Sequence, residues 1–195
     1  MEFKDSETCK NLMRGFAGES QAINRYIFSA STAKKQNLQV IQRIFEYTAD
    51  QEKAHAKIFY KHLKELCGAN ITVDGCYPVD LHDDVEQLLR AAQHNEYEEY
   101  DHEYTKFAEI AAAEGYKAVA NSFKSIAEIE KTHGDRFGRF ADFLKNGTLF
   151  KSETEETWLC LNCGHVHTGK QAAAKCPVCF HPQGYFVRKE LSPYC

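Results

Sequence analysis

Apolar side chains recur every three or four positions between residues 5 and 144, which is the spacing of one face of an α-helix. The pattern is interrupted at residues 34–37, at residues 68–78 and at Gly115. It therefore predicts four long helices. The short first and third connections make antiparallel neighbours, whereas the middle connection is long enough to cross the length of a bundle.

A long crossover between two helical hairpins is typical of ferritin-like four-helix bundles, so the predicted fold class is mainly α. Beyond residue 157 the composition changes to Cys, Gly, Pro, His and aromatic residues without a helical stripe. The sequence thus predicts a bundle at residues 1–147, a linker at 148–157 and a second domain at 158–195. That second domain is too small to depend on a hydrophobic core alone, so a metal or disulfides must hold it.

Ionisable side chains interrupt the apolar stripe of each predicted helix near its middle. The second and fourth helices carry a Glu-x-x-His insertion, and both insertions belong to a repeated A-x-x-E-K-x-H motif at residues 49–55 and 127–133. The first helix inserts one glutamate and the third inserts a Glu-x-x-Glu. The seven inserted side chains are Glu19, Glu52, His55, Glu96, Glu99, Glu130 and His133.

Burying these side chains demands a compensating positive charge. A buried carboxylate without a partner costs several kcal/mol or takes up a proton, and five facing one another would repel strongly. A single Glu-x-x-His is usually a pair of solvated charges, but four coincident insertions favour a site that holds two metal ions. One Glu from each of two helices plus Glu-x-x-His from the other two is the ligand pattern of di-iron carboxylate bundles. All seven side chains are therefore candidate ligands.

Two tyrosines, Tyr26 and Tyr104, follow inserted carboxylates by one or two helical turns. They would either hydrogen-bond the site or fill the core as ordinary aromatic residues, and the pattern does not distinguish these roles.

The second domain contains two Cys-x-x-Cys pairs, Cys160 with Cys163 and Cys176 with Cys179. Two such pairs place four thiolates around one ion, which by its chemistry is zinc or iron. Disulfide pairing is the alternative, and a reducing compartment disfavours it. Aromatic neighbours favour a redox iron: Trp158, Tyr185 and Phe186. The remaining cysteines are predicted to be free thiols: Cys9, Cys67, Cys76 and Cys195.

The charge distribution excludes two classes of partner. The net charge is -4, and the chain has no basic run that would bind a nucleic acid and no lysine-rich amphipathic face for a membrane. No stretch approaches the ~18 apolar residues that a bilayer span needs. We expect a cytoplasmic protein with no nucleic-acid or membrane partner.

The motifs together resemble the rubrerythrin family over essentially the whole chain. The stretches that carry the resemblance are Gly18–Gln21, Asn24–Tyr26, Glu52–Lys57, Phe107–Tyr116, Glu130-x-x-His133 and a rubredoxin-like segment from Trp158 to Pro182.

The resemblance implies a peroxidase that reduces hydrogen peroxide to water at a di-iron site in the bundle. It implies a third iron in a rubredoxin-like FeS4 centre that relays electrons. It also implies a role for each ligand: Glu52 and Glu130 as bridging carboxylates, Glu19, Glu96, Glu99 and His133 as terminal ligands, and His55 as the ligand that alternates with Glu99.

The resemblance further implies a homodimer arranged head to tail. The chain has no nucleotide-binding signature, so the electrons must come from an external donor, a rubredoxin or an NAD(P)H-dependent reductase or both. Two alternatives remain at this point. One is a ferroxidase or iron-storage protein of the ferritin-like class, and the other is a structural protein with zinc at both sites.

Overall fold

Long helices account for most of the chain in the computed structural model, which describes residues 2–193. The bundle helices are α1 (Glu7–Lys35), α2 (Gln39–His62), α3 (Val85–Glu98), α4 (Tyr104–Ala113) and α5 (Lys117–Lys145). Helix α1 packs along α2, and α3 and α4 pack along α5. The two hairpins are joined by the long connection between α2 and α3, so the predicted ferritin-like architecture is confirmed.

The helix ends follow from local chemistry. The Ser6 hydroxyl accepts a hydrogen bond of 3.0 Å from the first turn of α1, and the Asp84 carboxylate accepts one of 2.9 Å from the first turn of α3. Asn37 (φ 60°) and Gly115 (φ 90°) adopt left-handed backbone conformations in the two short turns. The predicted interruptions at residues 34–37 and at Gly115 therefore coincide with real helix ends.

One feature of the third predicted helix differs from the prediction. A π-helical turn, Glu99–Glu103, separates α3 from α4. A π turn contains one more residue than an α-helical turn. In a regular helix the residue two turns after Glu96, Glu103, would face the bundle interior, and the extra residue places Tyr104 there instead. Glu103 is accordingly exposed and Tyr104 is buried.

The bundle core consists of two apolar clusters. The first includes Tyr26, Phe45, Leu89 and Phe137, and it lies towards the ends of the helices near the α1–α2 turn. The second lies at the opposite end of the bundle and includes Leu12, Phe59, Tyr104 and Phe123. Along every long helix the inserted ionisable residues fall between a residue of one cluster and a residue of the other.

The C-terminal module is a three-stranded antiparallel sheet in the order β2–β1–β3. Its strands are β1 (Lys151–Cys160), β2 (Val166–Gln171) and β3 (Phe186–Arg188). Most of the predicted linker, residues 148–157, belongs to β1 in the structure. Glu153, Thr154 and Glu155 are all exposed along this strand, so the polarity of the stretch reflects a solvated strand rather than irregular chain.

The module packs on the bundle through two close approaches. Gly184 lies so near the α1–α2 turn that a Cβ there would collide with the carbonyl oxygen of Asn37. Arg188 donates hydrogen bonds to the carbonyls of Thr148 (2.8 Å) and Lys151 (2.9 Å), and its guanidinium stacks 4.2 Å from the Phe143 ring at the end of α5. These contacts place Cys160 in a cleft whose other wall is formed by residues of α2 and α5.

Two further expectations concern thiols and membranes. Cys9, Cys67 and Cys76 are free thiols, as predicted, and Cys195 lies outside the described residues. No helix in the described part of the chain is long and apolar enough to cross a membrane.

The N-terminus of α1 is capped by a residue that is distant in sequence, and this contact yields a pH-dependent prediction. The Glu114 carboxylate accepts hydrogen bonds from the N–H groups of Glu7 (3.1 Å) and Thr8 (2.8 Å). Partial burial acts to raise the pKa of Glu114, but the bonds from Thr8 and Glu7 outweigh it and hold the pKa below its ordinary value.

Glu114→Ala should lower the free energy of unfolding at pH 7 by roughly 1 kcal/mol, and the Tm by about 2–4 °C. Because the folded-state pKa is depressed, this stabilisation exists above the unfolded value of about 4.3 and disappears as the pH falls through the folded value. Thermal denaturation followed by circular dichroism between about pH 7 and about pH 3.5 measures the difference. Glu109→Ala, an exposed glutamate of α4, is the control, and an equal Tm loss at every pH would contradict the assignment.

Candidate metal centres

The layer between the two apolar clusters holds six of the seven predicted bundle ligands. Two groups of four side chains each have their ligand atoms within 4.8 Å of one another. Glu52 and Glu130 belong to both groups, and all members are buried. The first group also contains Glu19 and His55, and the second also contains Glu96 and His133.

The shared glutamates present one oxygen to each group. His55 Nδ1 lies 3.0 Å from Glu52 Oε2 and 2.9 Å from Glu130 Oε1. His133 Nδ1 lies 2.9 Å from Glu52 Oε1 and 2.8 Å from Glu130 Oε2. This geometry suits two cations bridged by two carboxylates, each with one further glutamate and one imidazole as terminal ligands.

Most of the oxygen and nitrogen atoms that could bind a metal ion have no hydrogen-bond partner. Unpartnered buried atoms include both oxygens of Glu52 and Glu130, one oxygen each of Glu19 and Glu96, and Nδ1 of both histidines. The contacts of 2.8–3.0 Å between imidazole nitrogens and carboxylate oxygens have the wrong geometry for hydrogen bonds. Since buried polar atoms are otherwise nearly always satisfied, these residues fit a dinuclear metal centre.

The electrostatics of the protein without metal point the same way. Burial and the charge of Glu52 raise the pKa values of Glu19 and Glu130 well above the ordinary value. Burial opposes charge on Glu52 and His133 too. Contacts with His133 and His55 nevertheless lower the pKa of Glu52 to about 2. Contacts with Glu130, Glu52 and Glu96 raise the pKa of His133 to about 11. Protons thus balance part of the negative charge, and metal ions would replace them.

Tyr26 and Tyr104, whose role the sequence pattern did not determine, both donate hydrogen bonds to glutamates of the site. The Tyr104 hydroxyl donates to Glu19 Oε1 at 2.7 Å, and the Tyr26 hydroxyl donates to Glu96 Oε1. Each tyrosine therefore orients the terminal glutamate of one group, leaving its second oxygen free to bind.

Glu99, the seventh predicted ligand, is in neither group. It begins the π-helical turn and is half-buried. Burial and the neighbouring carboxylates Glu96 and Glu52 raise its pKa well above the ordinary value. The rubrerythrin resemblance implies that His55 and Glu99 alternate as ligands of one iron. In the structure it is His55 that lies beside the shared glutamates Glu52 and Glu130.

Other ionisable side chains near Glu96 and Glu99 in the sequence are exposed: His94, Glu98, Asp101 and His102. His62 is 2.9 Å from the Ser122 hydroxyl rather than at the site. A neighbour that the sequence analysis missed is Arg136, which donates hydrogen bonds to Thr48 Oγ1 (2.8 Å) and Gln51 Oε1 (2.9 Å) beside the α2 ligands. Its only sequence signal is its place six residues after Glu130 on the same helix.

The four cysteines of the C-terminal module also converge. Their sulfur atoms lie within 4.8 Å of one another, with Cys160 3.7 Å from Cys179 and Cys163 3.6 Å from Cys176. These separations are far longer than a disulfide bond and match the ~3.8 Å edge of a tetrahedron with metal–sulfur bonds of ~2.3 Å. The arrangement therefore fits a single metal ion, and we call this site the tetrathiolate centre.

The backbone around the sulfur atoms is suited to thiolates. The N–H of His181 lowers the pKa of Cys179 to about 5, whereas burial raises that of Cys160 to about 12. A bound cation would displace the protons of the thiols that it coordinates.

Family comparisons agree with both sites. The rubrerythrin family model matches residues 10–141, and the model described as the rubrerythrin, rubredoxin-like domain matches residues 158–187. The chain belongs to the rubrerythrin family. It is 42% identical to rubrerythrin of Clostridium perfringens over 184 residues, which is 94% of each chain, and 42% identical to rubrerythrin of Nitratidesulfovibrio vulgaris over 183 residues, again 94% of each.

Solved structures of the same architecture include nigerythrin in its fully reduced, all-ferrous state. That chain is 27% identical, with a TM-score of 0.63 over 94% of this chain and 90% of nigerythrin. Bacterioferritin of Desulfovibrio desulfuricans shares the bundle alone, with 21% identity and a TM-score of 0.66 over 73% of this chain and 82% of its own. As a member of the rubrerythrin family, the chain carries a di-iron carboxylate centre and a mononuclear tetrathiolate centre.

Glu52→Ala should abolish the dinuclear centre while sparing the tetrathiolate centre. Glu52 is shared by both groups, and its removal takes one oxygen from each metal position, whereas the module folds around its own ion. Metal analysis of the purified chain should fall from three irons to one, with the visible absorbance of the ferric tetrathiolate centre retained.

The matched control is Asp50→Ala, an exposed carboxylate two residues earlier on α2, which should keep all three irons. Simultaneous loss of both centres in Glu52→Ala would show that the two modules do not hold their metals independently.

Proposed function

We propose that this protein reduces hydrogen peroxide to water at the dinuclear centre, with electrons relayed through the tetrathiolate centre. Six buried ligands and Glu99 would form the dinuclear centre, and Cys160, Cys163, Cys176 and Cys179 would hold the relay. When bound, the paired irons supply the two electrons that cleave the O–O bond of one peroxide, and two protons complete two water molecules.

One observation carries this proposal: the tetrathiolate centre faces the helices that hold the dinuclear centre. Cys160 lines a cleft of about 860 Å³ between the module and the bundle. The opposite wall includes Asp50, Thr132 and Arg136, which lie within six residues of Glu52 or Glu130 on α2 and α5. From this position, a metal ion that carries one electron at a time would return electrons to the dinuclear centre after each turnover.

The bundle residues prepare the centre for a small oxidant. Aromatic rings close the layer on both sides, with Tyr26, Phe45 and Phe137 in mutual contact at 5.1–5.9 Å on one side. Phe59 and Tyr104 pack at 5.3 Å on the other. They exclude bulk water and larger substrates from the carboxylates.

We further assign Glu52 and Glu130 as bridging ligands, Glu19, Glu96 and His133 as terminal ligands, and Glu99 as the alternative to His55. The assignment of Glu99 is supported by its place in a π-helical turn next to Glu96, because such turns give a helix local freedom to re-aim one side chain. His55 is already within 3.0 Å of both bridging glutamates.

The external donor, the head-to-tail homodimer and the cytoplasmic location remain predictions. Electrons would come from a rubredoxin or from an NAD(P)H-dependent reductase. A dimer would offer a second route, from the tetrathiolate centre of one chain to the dinuclear centre of its partner, beside the route across the cleft within one chain.

The alternative function is that of a ferroxidase or iron-storage protein, which would use the same carboxylate bundle. Storage gives no role to the tetrathiolate centre. A requirement for Cys160 in turnover therefore separates the two functions.

Peroxide consumption driven by a reduced rubredoxin provides the test. The iron-loaded wild type should turn over, whereas Glu52→Ala and Cys160→Ser should each be inactive because one lacks the dinuclear centre and the other lacks the relay. Glu128→Ala, at an exposed glutamate two residues before Glu130 on α5 and outside the cleft, should match the wild type. Peroxide turnover by Cys160→Ser equal to that of the wild type would contradict the relay. Oxidation of added ferrous iron with no peroxide turnover in any variant would instead support the ferroxidase.

Mixed dimers of Glu52→Ala and Cys160→Ser chains identify the route. If electrons cross between chains, the mixed dimer contains one complete pair of centres and should regain about half the wild-type activity. A mixed dimer as inactive as both parents would contradict the crossed route and leave transfer within one chain.

A further inference from the structure

The two cysteine loops of the module are built alike except at one position. The N–H of Gly164 donates to the carbonyl of Cys160 at 2.8 Å, and the N–H of Phe180 donates to that of Cys176 at 3.0 Å. Both residues that follow the second cysteine have left-handed backbones, with φ of 76° for Gly164 and 61° for Phe180. Glycine accepts this conformation freely, whereas a bulky side chain is disfavoured there.

Packing inside the chain does not account for Phe180. Its side chain is 66% exposed, and Val178, on the other side of Cys179, is 60% exposed. The Lys175 ammonium lies 5.3 Å from the Phe180 ring and is itself exposed. A strained, solvent-exposed aromatic residue next to a metal ligand suggests a contact made with another molecule.

This side of the tetrathiolate centre is also the open one. Cys163 is exposed and Cys179 is half-buried, whereas Cys160 and Cys176 are fully buried. We call the surface formed by Cys163, Lys175, Val178, Cys179 and Phe180 the Phe180 face. The buried ligand Cys160 lines the cleft towards the bundle, so the centre has an outer side and an inner side.

The charge of the module differs from that of the bundle. Residues 157–189 contain no aspartate or glutamate, and their basic side chains are Lys170, Lys175, Arg188 and Lys189. Up to residue 156 the chain has 27 acidic and 20 basic side chains. The Phe180 face has two exposed apolar side chains, one lysine and no acidic residue nearby in the sequence. Such a face complements a partner of negative surface charge.

We propose that the Phe180 face is the docking surface for a separate, acidic one-electron carrier protein that reduces the tetrathiolate centre. Two exposed apolar side chains and one lysine suit a small transient contact, whereas a stable dimer interface typically buries about 1,200 Å² or more. In the encounter one electron leaves the reduced carrier and reduces the metal held by the four thiolates. No bond forms or breaks. The proposal rests on the proposed relay.

The test uses the full iron-loaded chain and, as the probe, a soluble rubredoxin of net negative charge reduced beforehand. Reduction of the ferric tetrathiolate centre is followed by visible absorbance in rapid mixing without peroxide. Phe180→Gly copies the Gly164 loop, so it should keep the visible spectrum of the centre, the reduction potential and an equal or higher Tm. It should lower the second-order rate constant roughly tenfold or more because the apolar anchor is lost.

Lys175→Glu should also slow reduction and should weaken its dependence on salt, since the attraction to an acidic partner is reversed. The matched control is Lys170→Gln, an exposed lysine at the far end of β2 from the cysteine loops, which should react nearly as fast as the wild type. Dithionite, a small reductant, should reduce all four proteins at equal rates.

A wild-type rate constant in Phe180→Gly would overturn the proposal. Dissociation of a dimer into monomers by Phe180→Gly would overturn it as well, because the face would then belong to an interface between copies. Failure of the proposed function is a separate outcome: a chain that reduces no peroxide but whose tetrathiolate centre is reduced in a Phe180-dependent manner lacks peroxidase function and keeps the docking surface.

Discussion

The rest of this structure depends on the burial of carboxylates in the middle of a bundle, between two clusters of aromatic rings. Glu19, Glu52, Glu96 and Glu130 converge with two imidazoles in a layer that water does not reach, and six of their eight carboxylate oxygens lack hydrogen-bond partners. Protons or cations must compensate such a layer, since uncompensated burial costs several kcal/mol for each charge. The arrangement of Glu52 and Glu130, with one oxygen towards each group, favours two cations over scattered protons.

Much of this layer was predictable because a charged residue within an apolar stripe is conspicuous. The coincident insertions on four helices predicted six side chains that converge in the structure, and the two Cys-x-x-Cys pairs predicted the cluster of four sulfur atoms. The π-helical turn at Glu99–Glu103 was not predictable, because it depends on one extra residue in the helical phase that no local composition marks. That turn explains why Tyr104 rather than Glu103 faces Glu19, and why Glu99 lies apart from the two groups.

Contacts between residues that are far apart in the chain could not be predicted from the sequence either. The predicted linker at 148–157 is largely a strand, since a half-exposed strand on a small sheet can be as polar as a loop. The seating of the module against the α1–α2 turn depends on the close approach at Gly184 and on the stacking of Arg188, both of which join residues far apart in the chain. Their consequence is functional, because they turn Cys160 towards α2 and α5 and leave the Phe180 face open.

The unpartnered carboxylates are suited to hold two iron ions, and the four cysteines are suited to hold a third. Anomalous diffraction at the iron absorption edge, from crystals of the protein as purified, tests this arrangement most directly. We expect three iron peaks in each chain, two of them between Glu52 and Glu130 and one enclosed by Cys160, Cys163, Cys176 and Cys179. An ordered bundle with no peak between Glu52 and Glu130, or a zinc-edge signal in place of iron at the cysteines, would contradict it.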